Sequence, residues 1–197
     1  MNYLGHIYFS NNNLRLAKAN LFGDSVKGTH LEKYPLLVQQ GIRLHREIDN
    51  YIDHHPKVME LVRIIRPDLP KIASVAVDLY FDHLLAKNWK DWHSTPLPEF
   101  LDHVHSNLEK IDKEYYTDDF NFFINRLCEM KWMNAYSTEY GLDKMCNGVS
   151  RRISFDNALK NGLSVFHKYE TEIVKAFNEY MLDANEHFKS IHLGIKL

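Results

Sequence analysis

Residues Val75 to Ala86 read VAVDLYFDHLLA, and this run decides the class of fold. At about 100° per residue, Ile72, Val75, Ala76, Val77, Leu79, Tyr80, Phe81, Leu84 and Leu85 cover most of a helix circumference. A helix that is apolar nearly all round belongs in the middle of a structure, with other elements packed around it. Asp78 and Asp82, at i and i+4, share the narrow arc that is left. Burying a carboxylate costs several kcal/mol even after relaxation, so each needs a cation, an ion-pair partner or a proton. His83 follows directly, inside the apolar arc. Part of a metal site would answer this pattern. A buried Asp–Arg pair with a hydrogen-bonded core histidine would answer it too.

The remaining periodicity is also helical. Helices are expected over Leu14–Lys27, stopped by Gly28, then over Leu36–Asp53, and from about Leu69 to Trp89 after a break at Pro67, Asp68 and Pro70. Further helices are expected over Leu97–Lys113, Phe120–Tyr136 and Gly141–Arg152, and from Ala158 to about Phe188 with a break near Gly162. Strand alternation is absent beyond the first ten residues. The expected fold class is all-α, a single-domain multi-helix bundle of roughly seven to nine helices. Its 197 residues suffice for one domain with a sizeable core, with a loose tail over 190–197.

Composition removes several functions. A formal net charge of −2 lacks the basic excess of general nucleic-acid binders. The two cysteines, Cys128 and Cys146, have no CxxC spacing, which argues against a disulfide framework or a thiolate zinc site. No apolar run approaches the ~20 residues of a membrane span. The start, MNYLGHIYFSNNN, lacks the basic residues and apolar core of a signal peptide, and a cytoplasmic location is expected. Glycine-rich phosphate loops and a GxSxG elbow are missing.

What stands out instead is histidine beside carboxylate. His45 and Asp49 lie one turn apart inside an apolar arc, where they can share a metal or pair as ligand and orienting group. Asp24 sits near a helix C-terminus, where it opposes the macrodipole. Adding His6, Asp78, Asp82 and His83 gives a set of nitrogen and carboxylate donors in the first half of the chain. Such a set suits Mn2+, Fe2+ or Zn2+, and a divalent metal in a helical bundle suits phosphate-ester hydrolysis. His93, His103 and His105 lack matching buried carboxylates and read as surface or packing residues.

Five segments, MNYLGHIYFS, ANLFGDSVKG, GIRLHREID, DLYFDHLL and NGVSRR, occur in that order between residue 1 and about residue 160. Together they resemble the acyl carrier protein phosphodiesterase family, divergent all-helical relatives of the HD-domain metal-dependent phosphohydrolases. The dyad here is Asp82–His83, the reverse of the usual order. The resemblance implies hydrolysis of the phosphodiester joining 4′-phosphopantetheine to the serine of holo-acyl carrier protein, with Mn2+ as the usual metal. Carried over by position, His6, Asp24, His45, Asp78, Asp82 and His83 are candidate metal ligands, and Asp49 a group that orients one. Asp24, His45, Asp82 and His83 are candidates for the chemistry itself. The acidic carrier implies a basic rim, for which Lys18, Lys27, Arg43, Arg46, Arg151 and Arg152 are available. Two other readings share these residues: an HD-type phosphohydrolase acting on a nucleotide or small phosphodiester, and a helical binding module without activity.

Overall fold

The computed structural model describes residues 1–194. Ten α-helices form among the described residues, and no strand does: α1 Tyr3–Tyr8, α2 Leu14–Phe22, α3 Leu36–His54, α4 Pro56–Ile65, α5 Ala73–Lys87, α6 Leu97–Asn107, α7 Asp118–Met130, α8 Glu139–Arg152, α9 Gly162–Lys168 and α10 Glu170–Gly194. Two of these, α1 and α4, are not among the expected helices. At six residues α1 is too short to show periodicity, and α4 begins at Pro56, a proline at the first helical position.

The apolar run occupies the centre. Tyr80, Phe81, Leu84 and Leu85 of α5 are fully buried, and α1, α4, α8 and α10 pack around it. Several expected ends move for local reasons. The helix from Leu14 stops at Phe22, and a 3-10 turn, Gly23–Ser25, follows. Arg46 of α3 donates to the Val26 and Gly28 carbonyls and turns the chain there. Positive φ at Lys71 delays α5 to Ala73, and at Lys131 it ends α7 before a 3-10 turn over Trp132–Ala135. The last segment breaks at Tyr169, since Gly162 opens α9. Where a loose tail was expected from residue 190, α10 runs on to Gly194, and residues 195–197 of that tail lie outside the described residues.

Two close approaches set the geometry that follows. Gly41 of α3 lies so near α2 that a Cβ there would come within 2.3 Å of the Ala19 Cβ. At α10, His55 Nε2 meets Asp183 Oδ2 at 3.1 Å and His187 Nε2 meets Glu47 Oε1 at 3.0 Å, which ties the last helix to α3 and the start of α4.

Candidate metal centre

Helix α1 supplies His6, and α3 supplies His45 and Asp49 from successive turns. His6 Nε2 lies 3.3 Å from Asp49 Oδ1, and His45 Nε2 lies 3.2 Å from Asp49 Oδ2. The two imidazoles stack with centroids 4.3 Å apart. Each of the three residues offers a ligand atom within 4.8 Å of the others. Both histidines are buried, and Asp49 is half-exposed.

The neighbours of His6 fix its tautomer. Asn20, buried on α2, donates from Nδ2 to the His6 carbonyl at 2.9 Å and to Ser10 Oγ at 3.0 Å. With both amide hydrogens committed, Oδ1 is the atom that faces His6 Nδ1, at 2.9 Å. An amide oxygen can only accept, so His6 Nδ1 carries a proton. Burial lowers the His6 pKa by more than the contact with Asp49 raises it. The ring is then neutral near pH 7, and Nε2 turns a lone pair toward the Asp49 carboxylate. Burial favours the protonated Asp49 carboxyl, yet the contact with His45 Nε2 holds it well below the usual carboxylate range. A lone pair facing a carboxylate is a repulsive pair of acceptors, and a cation between them removes the repulsion. The donor set therefore fits a divalent metal.

The cluster opens on a cavity of about 680 Å³ whose wall also carries Asp24, Asp53, Asp78, Asp119 and Arg152. Asp24 stands in the Gly23–Ser25 turn, exposed on this wall and outside the His6–His45–Asp49 cluster. Gly23 brings the turn there: a Cβ on it would lie 2.4 Å from the His45 Cβ. Burial and the nearby Asp78 carboxylate raise the Asp53 carboxyl. Arg152 donates to the Tyr3 hydroxyl at 3.2 Å.

The two carboxylates of α5 find their compensation in the N-terminal segment. Asp82, fully buried, accepts from the backbone N–H groups of Asn2, Leu4 and Gly5 at 3.2, 2.8 and 3.0 Å. These include donors of the first turn of α1, so Asp82 caps that helix from a distance. Burial pushes its carboxyl up to about 7, against the pull of the Met1 amine and the three donors. Asp78 lines the cavity and binds the Met1 amine at 2.8 Å. His83 points elsewhere: Nδ1 donates to the Tyr136 carbonyl at 2.7 Å, and the ring stands edge-on to Phe166. Asp82 and His83, expected as metal ligands, thus both meet backbone groups, and neither is among the residues that line the cavity. Asp49, for which the sequence leaves both a ligand and an orienting role open, has a carboxylate oxygen within reach of both histidines.

The basic residues divide similarly. Lys18 is withdrawn from the surface, its Nζ donating to the Ile111 carbonyl and lying 4.8 Å from the Tyr116 ring centroid. Arg46 is half-buried and holds the Val26–Gly28 loop. Lys27, Arg43 and Arg151 are exposed. Sequence reasoning missed Asn20, Asp53 and Asp119. Asp53 continues the 45, 49 series by one more turn, and Asn20 is a polar residue in an otherwise apolar stretch, so both left a signal.

Side chains from α1 and α3 thus converge beside a carboxylate-rich cavity in an all-α frame, which defines a class of helical proteins with a candidate metal centre. The family within that class is shown by comparison. The family model for acyl carrier protein phosphodiesterase matches residues 1–184, and the chain belongs to this family. Three relatives carry that name. The protein of Enterobacter sp. (strain 638) is 30% identical over 165 residues, covering 82% of this chain and 83% of that protein. That of Salmonella agona (strain SL483) is 28% identical over 165 residues, with the same coverage. That of Photorhabdus laumondii subsp. laumondii is 27% identical over 194 residues, covering 94% of this chain and 96% of that protein. No solved structure matches the chain.

Proposed function

We propose that this protein is a metal-dependent phosphodiesterase that releases 4′-phosphopantetheine from the serine of holo-acyl carrier protein, leaving the apo-carrier. The family and the name its relatives bear support the carrier as substrate. The observation that carries metal dependence is the His6 lone pair, held by Asn20 against the Asp49 carboxylate. His6, His45 and Asp49 would hold the ion. A donor set without thiolate suits Mn2+, Fe2+ or Zn2+, and Mn2+ is the first to try. Such an ion supplies Lewis acidity at the phosphoryl oxygens and lowers the pKa of bound water. The HD-domain relationship enters on the same ground: histidine and aspartate ligands drawn from separate helices.

The chain's own groups then divide the work. Arg152 on the cavity wall orients the diester anion by a charge-assisted contact. Asp24, on the same wall and beside the His45 turn, accepts the proton of the attacking water. The P–O bond to serine breaks, and the serine oxygen takes a proton. Exposed Lys27, Arg43 and Arg151 are the basic groups offered to an acidic carrier.

The test is a mass measurement on holo-acyl carrier protein incubated with the purified protein and Mn2+. Wild type is run beside Asp24→Ala, His6→Ala and a chelated control. Loss of the phosphopantetheine mass only with metal and intact Asp24 is expected. An unchanged carrier alongside turnover of small phosphodiesters would replace this reading with a small-molecule phosphohydrolase. Neither turnover nor metal uptake would leave a binding module.

A further inference from the structure

The metal cavity shares a wall with a second hollow of about 630 Å³. Asn2, Tyr3, Val149 and Arg152 line both, so the Arg152–Tyr3 hydrogen bond stands at the passage between them. Their chemistry differs. The carboxylates belong to the first cavity, and among the residues lining the second there is none. Met130, Trp132 and Tyr140 line this groove and are 53%, 38% and 66% exposed, a grouping of apolar surface that marks a binding site more often than chance exposure does. Lys144 lies 5.2 Å from the Tyr140 ring centroid. The walls are anchored. His83 of α5 holds the Tyr136 carbonyl, and Gly141 lets the start of α8 press against Ala135, whose carbonyl oxygen would lie 1.8 Å from a Cβ there.

Gly148 adds an independent observation. It sits inside α8, where glycine is disfavoured relative to alanine. Its φ is not positive, and a Cβ on it would meet nothing within 4 Å. Neither backbone nor packing asks for glycine at this position. The missing side chain leaves open space in the groove it lines.

We propose that this groove takes the pantetheine arm of the substrate. The inference rests on the carrier reading above. The scissile phosphate separates a charged end from a long uncharged arm of methyls, amides and a thiol. The molecule offers a like change of character at Arg152, from a carboxylate-lined cavity to a groove of aromatic and apolar side chains that carries Lys131 and Lys144 but no carboxylate. With phosphate at Arg152, the arm runs past Val149 and Gly148 toward Tyr140 and Trp132.

The experiment uses the whole protein with Mn2+, as wild type, Gly148→Ala and Gly148→Leu. Holo-acyl carrier protein is followed by mass, and bis(4-nitrophenyl) phosphate serves as a diester without an arm. Leucine at 148 enters open space, so the melting temperature is expected at or above that of wild type. The ratio of kcat/KM for carrier to that for the small diester is expected to fall at least roughly tenfold in Gly148→Leu and to stay within about threefold in Gly148→Ala. An unchanged ratio in Gly148→Leu overturns the groove and leaves the carrier reading standing. A wild type that cleaves the small diester yet leaves the carrier intact overturns both. Pantetheine alone, titrated against the fluorescence difference between wild type and Trp132→Phe, separates arm from carrier surface. Saturation that Gly148→Leu abolishes supports the arm, and no response up to the solubility limit overturns it.

Discussion

Asn20 Oδ1 accepts a hydrogen bond from His6 Nδ1 at 2.9 Å, and it is free to do so because the Asn20 amide hydrogens are spent on the His6 carbonyl and Ser10 Oγ. One buried amide thereby decides which imidazole nitrogen faces Asp49. Asn20→Ala removes that control. Metal affinity is expected to fall by roughly 10–100-fold, as it does when a ligand's orienting partner is lost. The metal-free fold should lose about 1–3 kcal/mol from the polar groups left unpaired. Mn2+ titration calorimetry and denaturant unfolding in chelator read the two effects separately.

Asp82 and Asp49 are both acidic neighbours of α1, yet opposite outcomes are expected from them. Asp82→Asn keeps one acceptor oxygen but turns an NH2 toward the backbone N–H of Leu4, or toward those of Asn2 and Gly5, which the lost oxygen served. Metal-free stability should fall by about 2–4 kcal/mol. Asp49→Asn touches a half-exposed group, and metal-free stability should change by less than ~1 kcal/mol. The rise in melting temperature expected of wild type in excess Mn2+ should be missing from this variant, because such a rise is binding free energy. Melting curves with and without metal decide the matter, and the reverse pattern would make Asp82 the ligand.

Groups away from the cluster contribute to the pH dependence of the metal-free protein. Burial lowers the pKa of both His83 and His105 from 6.5, so below that value the unfolded chain binds more protons than the fold. Stability from these two is fully present above about 6.5 and is lost as pH falls. Asp82 runs the other way. Its carboxyl is raised from 3.8 to about 7, so its contribution is complete at low pH and fades as pH rises through about 7. Between pH 5 and 6.5 in chelator the two histidines raise the unfolding free energy as pH rises, and Asp82 opposes them. His105→Leu removes one of the rising contributions, so the slope of unfolding free energy against pH should become less positive than in wild type, as urea titrations at three pH values would show.

The class of fold was legible because α5 is apolar on nearly every face, which leaves a chain little choice but to wrap it in helices. The demand that Asp78 and Asp82 be compensated was legible for the same reason. The identity of the compensator was not. Backbone N–H groups at a helix end leave no mark in a sequence, and α1 is too short to announce that it ends on Asp82. His45 and Asp49 were readable as a pair from one helix face. Their meeting with His6 depends on how α1 crosses α3, a tertiary fact. Arg46 and Lys18 show the same limit from the other side, since a cation that holds a loop carbonyl looks like any surface cation until the loop is placed.

Gly23 and Gly148 give the last expectation, because the same substitution should act in opposite directions at the two sites. Gly23 has φ −53 and ψ −35, a conformation alanine adopts freely, so only space matters there. A Cβ would come within 2.4 Å of His45 Cβ and 2.5 Å of its Cγ, atoms close to the backbone that cannot swing aside. Gly23→Ala must push the Asp24 turn and His45 apart. Stability should drop by about 1–3 kcal/mol through overpacking, and Mn2+ affinity should weaken at least roughly tenfold as one ligand leaves its place. Gly148→Ala meets nothing within 4 Å and should instead raise stability by up to about 1 kcal/mol through helix propensity. Paired melting curves and Mn2+ titrations of the two variants make the comparison, and a Gly23→Ala protein that binds Mn2+ like wild type would separate the turn from the site.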